Sequence, residues 1–337
     1  MTKSGSAIST ADYHTAGEPF RIVTSGVDPI PGMTILDKRR FAAEHLDHVR
    51  QLLVFEPRGH ADMYGCFVTE AEDANADLGV VFFHNAGYST ACGHGTIALV
   101  TWALESGRLP RQDGANRVVV DAPSGRLETV AVLEGDRVSR VRFRNVPAYV
   151  HAVGLSLDSS AGRLTCDIAF GGAFYASVRA ADVGCEVTPR DLPRLIEFGR
   201  AIKHHIEAGE EIVHPVVPEL RDVYGVIFFE DLGNREGGLH QRNVTIFADG
   251  EVDRSPCGSG TSARLAILDA SGQLAAGTTL IHESIIGTTF QARVVGRASV
   301  DGYPAVVTEV EGSAHITGHH QFVLDPHDAL GTGFLIR

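Results

Sequence analysis

Two short segments of the chain repeat one pattern, and each begins with a cysteine. The letters CGHGT span Cys92–Thr96, and CGSGT span Cys257–Thr261. An apolar run follows each segment and stops at a Ser-Gly pair, ending at Gly107 and Gly272, so the spacing is identical. A pair of thiols can remove a proton from one face of a carbon and return one to the other face. The repeat therefore predicts a site built from two facing halves with one thiol from each.

Both cysteines are predicted to lie at the N-terminus of a helix. Thr90 and Ser255 are candidate N-caps, and Pro256 suits a first helical turn. A thiol at a helix start is expected to ionise more easily, because the amides and the helix dipole there favour negative charge. Gly93 and Gly258 carry no side chain, so their amides can approach a substrate carboxylate.

These features fit proton abstraction from an amino acid. The Cα–H of an amino acid is a weak acid, and its carboxylate must be neutralised before a carbanion can form. Two helix N-termini would neutralise the carboxylate, one thiolate would take the proton, and a thiol on the opposite face would return one. Such a site needs no metal and no pyridoxal phosphate, so we expect no cofactor.

The remaining cysteines and the histidine pairs do not indicate other sites. The chain has five cysteines without a CxxC spacing, which suggests neither disulfides nor structural zinc. Cys66, Cys166 and Cys185 lie in apolar stretches and are interpreted as small buried side chains. His204-His205 and His319-His320 have no carboxylate or cysteine at ligand spacing, so no metal site is predicted.

Two segments also resemble parts of other active-site types. Cys92 and His94 could form the nucleophile and base of a thiol hydrolase, but residues two apart at a helix start are not expected to meet correctly. The Gly258–Thr261 segment resembles a phosphate-binding loop, but the lysine of that loop is missing.

The composition is that of an ordinary globular protein. The chain has 337 residues, of which 44% are hydrophobic and 21% charged, and its net charge is −13. The negative charge argues against a nucleic-acid surface. No apolar run reaches the ~20 residues that span a bilayer, and the first residues contain no signal-like apolar stretch. We expect a cytoplasmic monomer or homodimer whose partner is a small molecule, not a membrane or a nucleic acid.

The pattern of elements predicts an α/β (α+β) fold with two homologous halves. Short strands rich in Val, Ile and Phe dominate, and helices are expected within Pro31–Val54, within Pro189–Ala208 and after each repeated cysteine. The two helices after the cysteines are apolar nearly all round, so each should be buried on all sides. Each half is thus a curved, mostly antiparallel sheet wrapped around a central helix. The first half covers residues 1–155, joined by 320–337, and the second covers 156–319.

Several motifs together resemble those of the proline racemase family, which has the diaminopimelate-epimerase-like fold. The similar stretches cover nearly the whole chain; they are His14–Pro19, Glu56–Met63, Cys92–Thr96, Asp253–Gly258, Ile316–Gly318 and Gly333-Phe334. The Asp-Arg-Ser-Pro-Cys-Gly block of Asp253–Gly258 is the most specific of them.

The resemblance implies an enzyme of cyclic imino acids. Members of this family racemise proline, epimerise 4-hydroxyproline at C2 or dehydrate trans-3-hydroxyproline. Cys92 and Cys257 match the family's acid/base pair, and His94 and Asp253 match groups that face the ring nitrogen. The positions that bind the substrate carboxylate and its neighbouring atoms are Gly93, His94, Gly258 and Ser259.

Three functions remain open on the sequence. Cys257 favours a cofactor-independent 4-hydroxyproline epimerase or proline racemase, because the family's dehydratases typically have Thr at this position. The stretch Gly87–Thr90 is more similar to the dehydratases and favours trans-3-hydroxy-L-proline dehydration. Hydroxyproline epimerases often have a substrate-facing His that Tyr224–Phe229 lacks, so we expect a different contact with the ring hydroxyl or another cyclic imino acid as substrate. The third possibility is a protein that binds imino acids without catalysis.

Overall fold

The computed structural model describes residues 7–159, 162–235 and 237–336. Two compact units divide the chain: unit 1 comprises Met1–Val141 with Ser313–Arg337, and unit 2 comprises Arg142–Gly312. The sequence had placed these boundaries at residues 155 and 319.

Unit 1 is a sheet assembled mainly from antiparallel pairs. Its strands are β1 (Ile8–Thr15), β2 (Glu18–Ser25), β3 (Tyr64–Thr69), β4 (Leu78–His84), β5 (Gly114–Ala122), β6 (Gly125–Glu134), most of β7 (Arg137–Arg144) and, from the end of the chain, β17 (Ala314–Phe322). β17 pairs with β1, and the order continues through β2, β3, β4, β5 and β6. Only β2–β3 and β4–β5 in this series are parallel pairs, and helices connect both.

Three helices complete unit 1: α1 (Ile35–His45), α2 (Asp47–Val54) and α3 (Gly93–Glu105). The sequence predicted one helix within Pro31–Val54, and the structure contains two, because the backbone of Leu46 departs from helical geometry at φ −118°, ψ 9°. α1 and α2 pack with β3 and β4 in one hydrophobic cluster. α3 contacts β1, β2, β3, β6 and β17 instead, and every residue from Gly93 to Leu104 is buried.

Unit 2 contains the remaining strands and two long helices. The strands are β8 (Ala148–Ser159), β9 (Gly162–Phe170), β10 (Phe174–Arg179), β11 (Val223–Arg235), β12 (Gly238–Phe247), β13 (Glu251–Asp253), β14 (Leu280–Ser284), β15 (Thr289–Val300) and β16 (Tyr303–Gly312). The helices are α4 (Leu192–Gly209) and α5 (Gly258–Ala270), with a 3₁₀ turn at Ala180–Val183.

The strand pairings of unit 2 close into a ring. Each strand pairs with the next in the order β8, β9, β10, β11, β12, β14, β15 and β16, and β16 pairs back with β8. α5 contacts β8, β9, β10, β15 and β16, and all its residues from Gly258 to Leu268 are buried. α4 packs on β8, β11 and β12 and contributes to a separate cluster with them. The ring therefore encloses α5.

The two units repeat one topology. The series β1–β2–β3–β4–β5–β6 of unit 1 has the same order of antiparallel and parallel pairs as β9–β10–β11–β12–β14–β15 of unit 2. In each unit the buried helix follows the fourth strand of the series. The predicted fold, two α/β halves that each wrap sheet around a central helix, is confirmed. Among the described residues, no helix has both the length and the apolar character that crossing a membrane requires.

Candidate active site

In unit 1 the repeated cysteine is the N-cap of the buried helix α3. Cys92 has an extended backbone, and its Sγ accepts a hydrogen bond from the amide of Gly95 at 3.2 Å. The first amides of a helix have no acceptor within the helix, so those of Gly93 and His94 point out of its N-terminus. This geometry gives unit 1 a thiol and two helix-start amides in one place.

His94 lies against the same thiol. Its Nε2 is 3.5 Å and its Nδ1 3.6 Å from Sγ of Cys92. The edges of the aromatic rings of Phe20 and Tyr64 meet the imidazole at nearly perpendicular angles, with centroids 5.6 and 5.0 Å away. The two side chains do meet, because the first turn of α3 directs both to one point; the sequence predicts only that they rarely meet in the geometry of a nucleophile and its base.

Burial determines the protonation state of His94. Desolvation lowers the pKa of His94 to about 3, because a buried imidazolium would lose its hydration. The side chain of Thr15 donates to the carbonyl of His94 at 2.9 Å and ties β1 to the helix start. At neutral pH the imidazole is uncharged, so it can donate one hydrogen bond and accept another.

In unit 2 the repeated cysteine is also an N-cap, but its backbone differs. Cys257 precedes α5 with φ +62°, in the left-handed region that a non-glycine residue rarely adopts. Its Sγ lies 3.8 Å from the hydroxyl of Tyr175, on β10. The hydroxyl of Tyr175 is in turn 2.7 Å from that of Ser259.

Asp253, at the end of β13, is fixed beside this helix start. Its Oδ1 accepts hydrogen bonds from the amide and the hydroxyl of Ser255 at 2.8 and 2.7 Å, and the Ser255 hydroxyl accepts one from the Cys257 amide at 3.1 Å. Burial raises the pKa of Asp253 to about 6, although the hydrogen bonds from Ser255 and the neighbouring thiol of Cys257 lower it.

Burial also controls the thiol of Cys257. Desolvation raises its pKa to about 12, and the carboxylate of Asp253 adds to the effect, while hydrogen bonds from Gly260, Thr245 and Tyr175 act in the opposite direction. The expectation that a helix start makes this thiol more acidic is thus wrong. The loss of hydration outweighs the helix dipole, since Cys257 is only 5% exposed.

The predicted N-caps also need correction. Thr90 and Ser255 lie two residues before the capping positions, which the cysteines themselves occupy. Ser255 stabilises the approach to α5 instead, through its bonds to Asp253 and Cys257. A cysteine at an N-cap carries its sulfur directly at the open end of the helix.

Each unit brings together its own share of the predicted site residues. Unit 1 holds Cys92, Gly93 and His94, and unit 2 holds Asp253, Cys257, Gly258 and Ser259. Tyr175, whose hydroxyl lies 3.8 Å from the thiol of Cys257, was not among the residues predicted from the sequence. Tyr175 lies in β10 shortly after Gly171-Gly172, and no local pattern marks it as a site residue.

Comparison with known proteins identifies the family. The family model described as proline racemase matches residues 10–335. The chain belongs to the proline racemase family. Its fold extends to more distant proteins: a phenazine biosynthesis protein of the PhzF family from Bacillus anthracis superimposes with a TM-score of 0.58 at 14% identity, over 94% of this chain and 99% of that one.

Curated members of the proline racemase family resemble the chain over their whole length. A trans-3-hydroxy-L-proline dehydratase of Bacillus cereus is 46% identical over 97% of both chains. A protein of the same name from Burkholderia cenocepacia is 47% identical over 99% of this chain and 100% of the relative. A 3-hydroxyproline 2-epimerase of Burkholderia multivorans is also 47% identical, with the same coverage.

A solved structure from the family is also closely similar. It is a hydroxyproline epimerase from Agrobacterium vitis with bound trans-4-hydroxy-L-proline, 31% identical to this chain. The TM-score is 0.91, and the match covers 98% of this chain and 96% of that one. The relatives of this protein therefore include proteins named as epimerases and proteins named as dehydratases.

Proposed function

We propose that the protein is a cofactor-independent epimerase that inverts the Cα of a hydroxyproline, with Cys92 and Cys257 as its acid/base pair. The observation that carries the proposal is a cysteine at the N-cap of the buried helix in each of the two topologically equivalent units. A dehydratase needs one base and a leaving group, whereas inversion needs a second group that returns a proton. The retention of a thiol at both positions favours inversion.

The proposed reaction exchanges one proton for another. A thiolate takes the Cα proton, and the S–H bond forms as the C–H bond breaks and leaves a carbanion. The other cysteine, as a thiol, protonates the carbanion on the opposite face and becomes the thiolate. The raised pKa of Cys257 supports its role as the proton donor of the resting enzyme, with Cys92 as the base.

The helix-start amides would bind the carboxylate of the substrate. The first amides of α3, at Gly93 and His94, and of α5, at Gly258 and Ser259, are suited to an anion because of the open helix ends. Withdrawing charge from the carboxylate stabilises the carbanion at the adjacent carbon. The carboxylate of Asp253 and the neutral imidazole of His94 are proposed to face the ring nitrogen.

Dehydration of trans-3-hydroxy-L-proline is the second candidate. Two of the relatives described above carry this name at 46–47% identity. The two reactions share the first step, because removal of the Cα proton also precedes loss of the hydroxyl from C3. In dehydration the hydroxyl leaves with a proton as water, and the resulting enamine tautomerises to a cyclic imine.

One experiment separates the candidates. The protein is incubated in D₂O with trans-4-hydroxy-L-proline, trans-3-hydroxy-L-proline and L-proline, and the products are resolved by chiral chromatography and mass spectrometry. Epimerisation gives the inverted imino acid with deuterium at Cα, and dehydration gives a cyclic imine. Absence of deuterium from all three substrates and of imine would contradict both candidates.

Serine variants test the role of the thiols. Cys92→Ser and Cys257→Ser should each abolish epimerisation, because the serine hydroxyl is far less acidic than a thiol. A protein that only binds imino acids would keep its affinity in both variants and show no turnover even with both thiols intact.

A further inference from the structure

A chain of three hydrogen-bonding groups begins at the thiol of Cys257. The hydroxyl of Tyr175 lies 3.8 Å from Sγ, and the hydroxyl of Ser259 lies 2.7 Å beyond it. Tyr175 is 1% and Ser259 4% exposed, so the chain is shielded from bulk water. Tyr175 belongs to β10 and Ser259 to the first turn of α5, two elements that pack on each other.

Hydroxyl groups can both donate and accept, so this chain has two directions. When Cys257 is a thiol, its S–H donates to Tyr175, and the Tyr175 hydroxyl donates to Ser259. When Cys257 is a thiolate, the Tyr175 hydroxyl donates to the sulfur, and the Ser259 hydroxyl donates to Tyr175. Between these states the Cys257 proton passes to the substrate carbanion, and the two O–H bonds rotate so that both hydroxyls donate toward the sulfur.

An enzyme that inverts a carbon in both directions needs each cysteine in both protonation states. Cys257 must become a thiolate after it has donated its proton, in a place where burial and the carboxylate of Asp253 oppose that charge. A buried anion requires hydrogen-bond donors that are already in position. The Tyr175 hydroxyl supplies one such donor, beside the amide of Gly260 and the side chain of Thr245.

We propose that Tyr175 is a positioning residue that stabilises the thiolate of Cys257 by reversing the direction of its hydrogen bond, with Ser259 as the second member of the chain. The catalytic use of this device rests on the proposed function, but the hydrogen bonding to the sulfur does not. The two can therefore be tested separately.

The test measures ionisation of Cys257 directly. Wild type and Tyr175→Phe are treated with iodoacetamide between pH 7 and 10, and modification at Cys257 is quantified by mass spectrometry of its peptide. We expect labelling of Tyr175→Phe to be about tenfold slower at a given pH, because loss of a hydrogen bond to a charged group disfavours the thiolate. Removing a hydroxyl can only widen access to the sulfur, which would speed labelling, so slower labelling reports ionisation.

Tyr149→Phe is the matched control. Tyr149 is a fully buried tyrosine of unit 2, and its hydroxyl has no hydrogen-bond partner among the described residues. This variant should label at the wild-type rate. Equal rates in Tyr175→Phe and Tyr149→Phe would overturn the inference. Ser259→Ala keeps the Tyr175 ring and should slow labelling by a smaller factor, which provides the test should Tyr175→Phe fail to fold.

Activity provides the second readout. In Tyr175→Phe we expect kcat to fall with KM little changed, because the hydroxyl acts on the thiolate and not on substrate binding. If Tyr175→Phe is labelled more slowly but the wild-type protein exchanges no Cα proton, the result supports the hydrogen-bond chain and refutes the proposed function. Normal labelling in an active epimerase would refute the chain and leave the function standing.

Discussion

The sulfur of Cys92 lies 3.5 Å from Nε2 of His94, but burial of the imidazole disfavours a thiolate–imidazolium pair. Burial lowers the pKa of His94 to about 3, so the imidazole does not hold the proton of the thiol at neutral pH. The arrangement differs in this way from a hydrolase nucleophile, in which the histidine takes the proton. In the proposed reaction the proton of Cys92 comes from the substrate.

We therefore expect His94 to remain neutral across the working pH range. The ¹⁵N resonances of its imidazole should keep the shifts of one neutral tautomer from pH 5 to 9, because protonation would require the buried ring to carry a charge. Comparison with His94→Gln identifies the resonances. A titration with a midpoint near 6.5 would contradict the prediction and would revive a role for His94 as a base.

The duplicated topology and the two cysteines could be predicted because both leave strong local signals. The apolar runs of α3 and α5 are too uniform for surface helices, and each has a cysteine, two glycines and a threonine at its start. The strands could also be predicted from local sequence, because β-branched and aromatic residues lie between turn signals.

The ionisation of the thiols could not be predicted in the same way. It depends on burial, which the surrounding sheet imposes on Cys257 through residues distant in sequence, such as Tyr175 and Thr245. The left-handed backbone of Cys257 is likewise invisible in the sequence, because cysteine shows no preference for that region. Contacts over 82 residues of chain, such as that between Cys257 and Tyr175, have no local pattern.

Asp253 should control the acidic side of the pH profile. Its pKa of about 6 means that the carboxylate proposed to face the substrate nitrogen is lost below that pH. We expect kcat/KM to fall about tenfold per pH unit below pH 6, since only the ionised form binds a cationic ring nitrogen. Asp253→Asn should be much less active and should lack this limb. If the variant shows the same fall in kcat/KM below pH 6, a group other than Asp253 is responsible for it.

The carboxyl of Asp253 should also make the free energy of unfolding depend on pH, in the direction opposite to that of most acidic residues. Its pKa is about 6 in the folded protein against an ordinary value of 3.8, so the folded state binds the extra proton between these values. The free energy of unfolding should therefore decrease as pH rises from about 4 to 6. Urea unfolding of wild type and Asp253→Asn at both pH values measures this contribution, which the variant should lack.

Gly95 should not tolerate a side chain. A Cβ at this position would lie 2.4 Å from a ring carbon of Phe20 and 2.6 Å from Sγ of Cys92. Because Phe20 is fully buried, Gly95→Ala should cost about 1–3 kcal/mol of stability through overpacking and should displace the thiol. Gly209→Ala is the control, since a Cβ at that helix end would have no neighbour within 4 Å. Thermal unfolding and Cα exchange rates measure both effects, and equal behaviour of the two variants would show that the start of α3 adapts.

Threonine should be tolerated very differently at the two cysteine positions. Cys92 has φ −152°, an extended backbone that suits a β-branched residue, and threonine is a good N-cap. Cys257 has φ +62°, where a β-branched side chain clashes with the backbone. We expect Cys257→Thr to be about 1–2 kcal/mol less stable than Cys92→Thr.

Urea denaturation of the two variants beside Cys92→Ser and Cys257→Ser tests this difference, because serine removes the sulfur without adding a branch. The serine variants account for the loss of the buried thiol at each position. The difference in unfolding free energy between the threonine and serine variants therefore measures the strain that the backbone imposes on a branched side chain. If Cys257→Thr is as stable as Cys257→Ser, the backbone at residue 257 must relax out of the left-handed region when threonine replaces the thiol. A helix start that relaxes in this way could exchange a proton-donating thiol for threonine without loss of the fold.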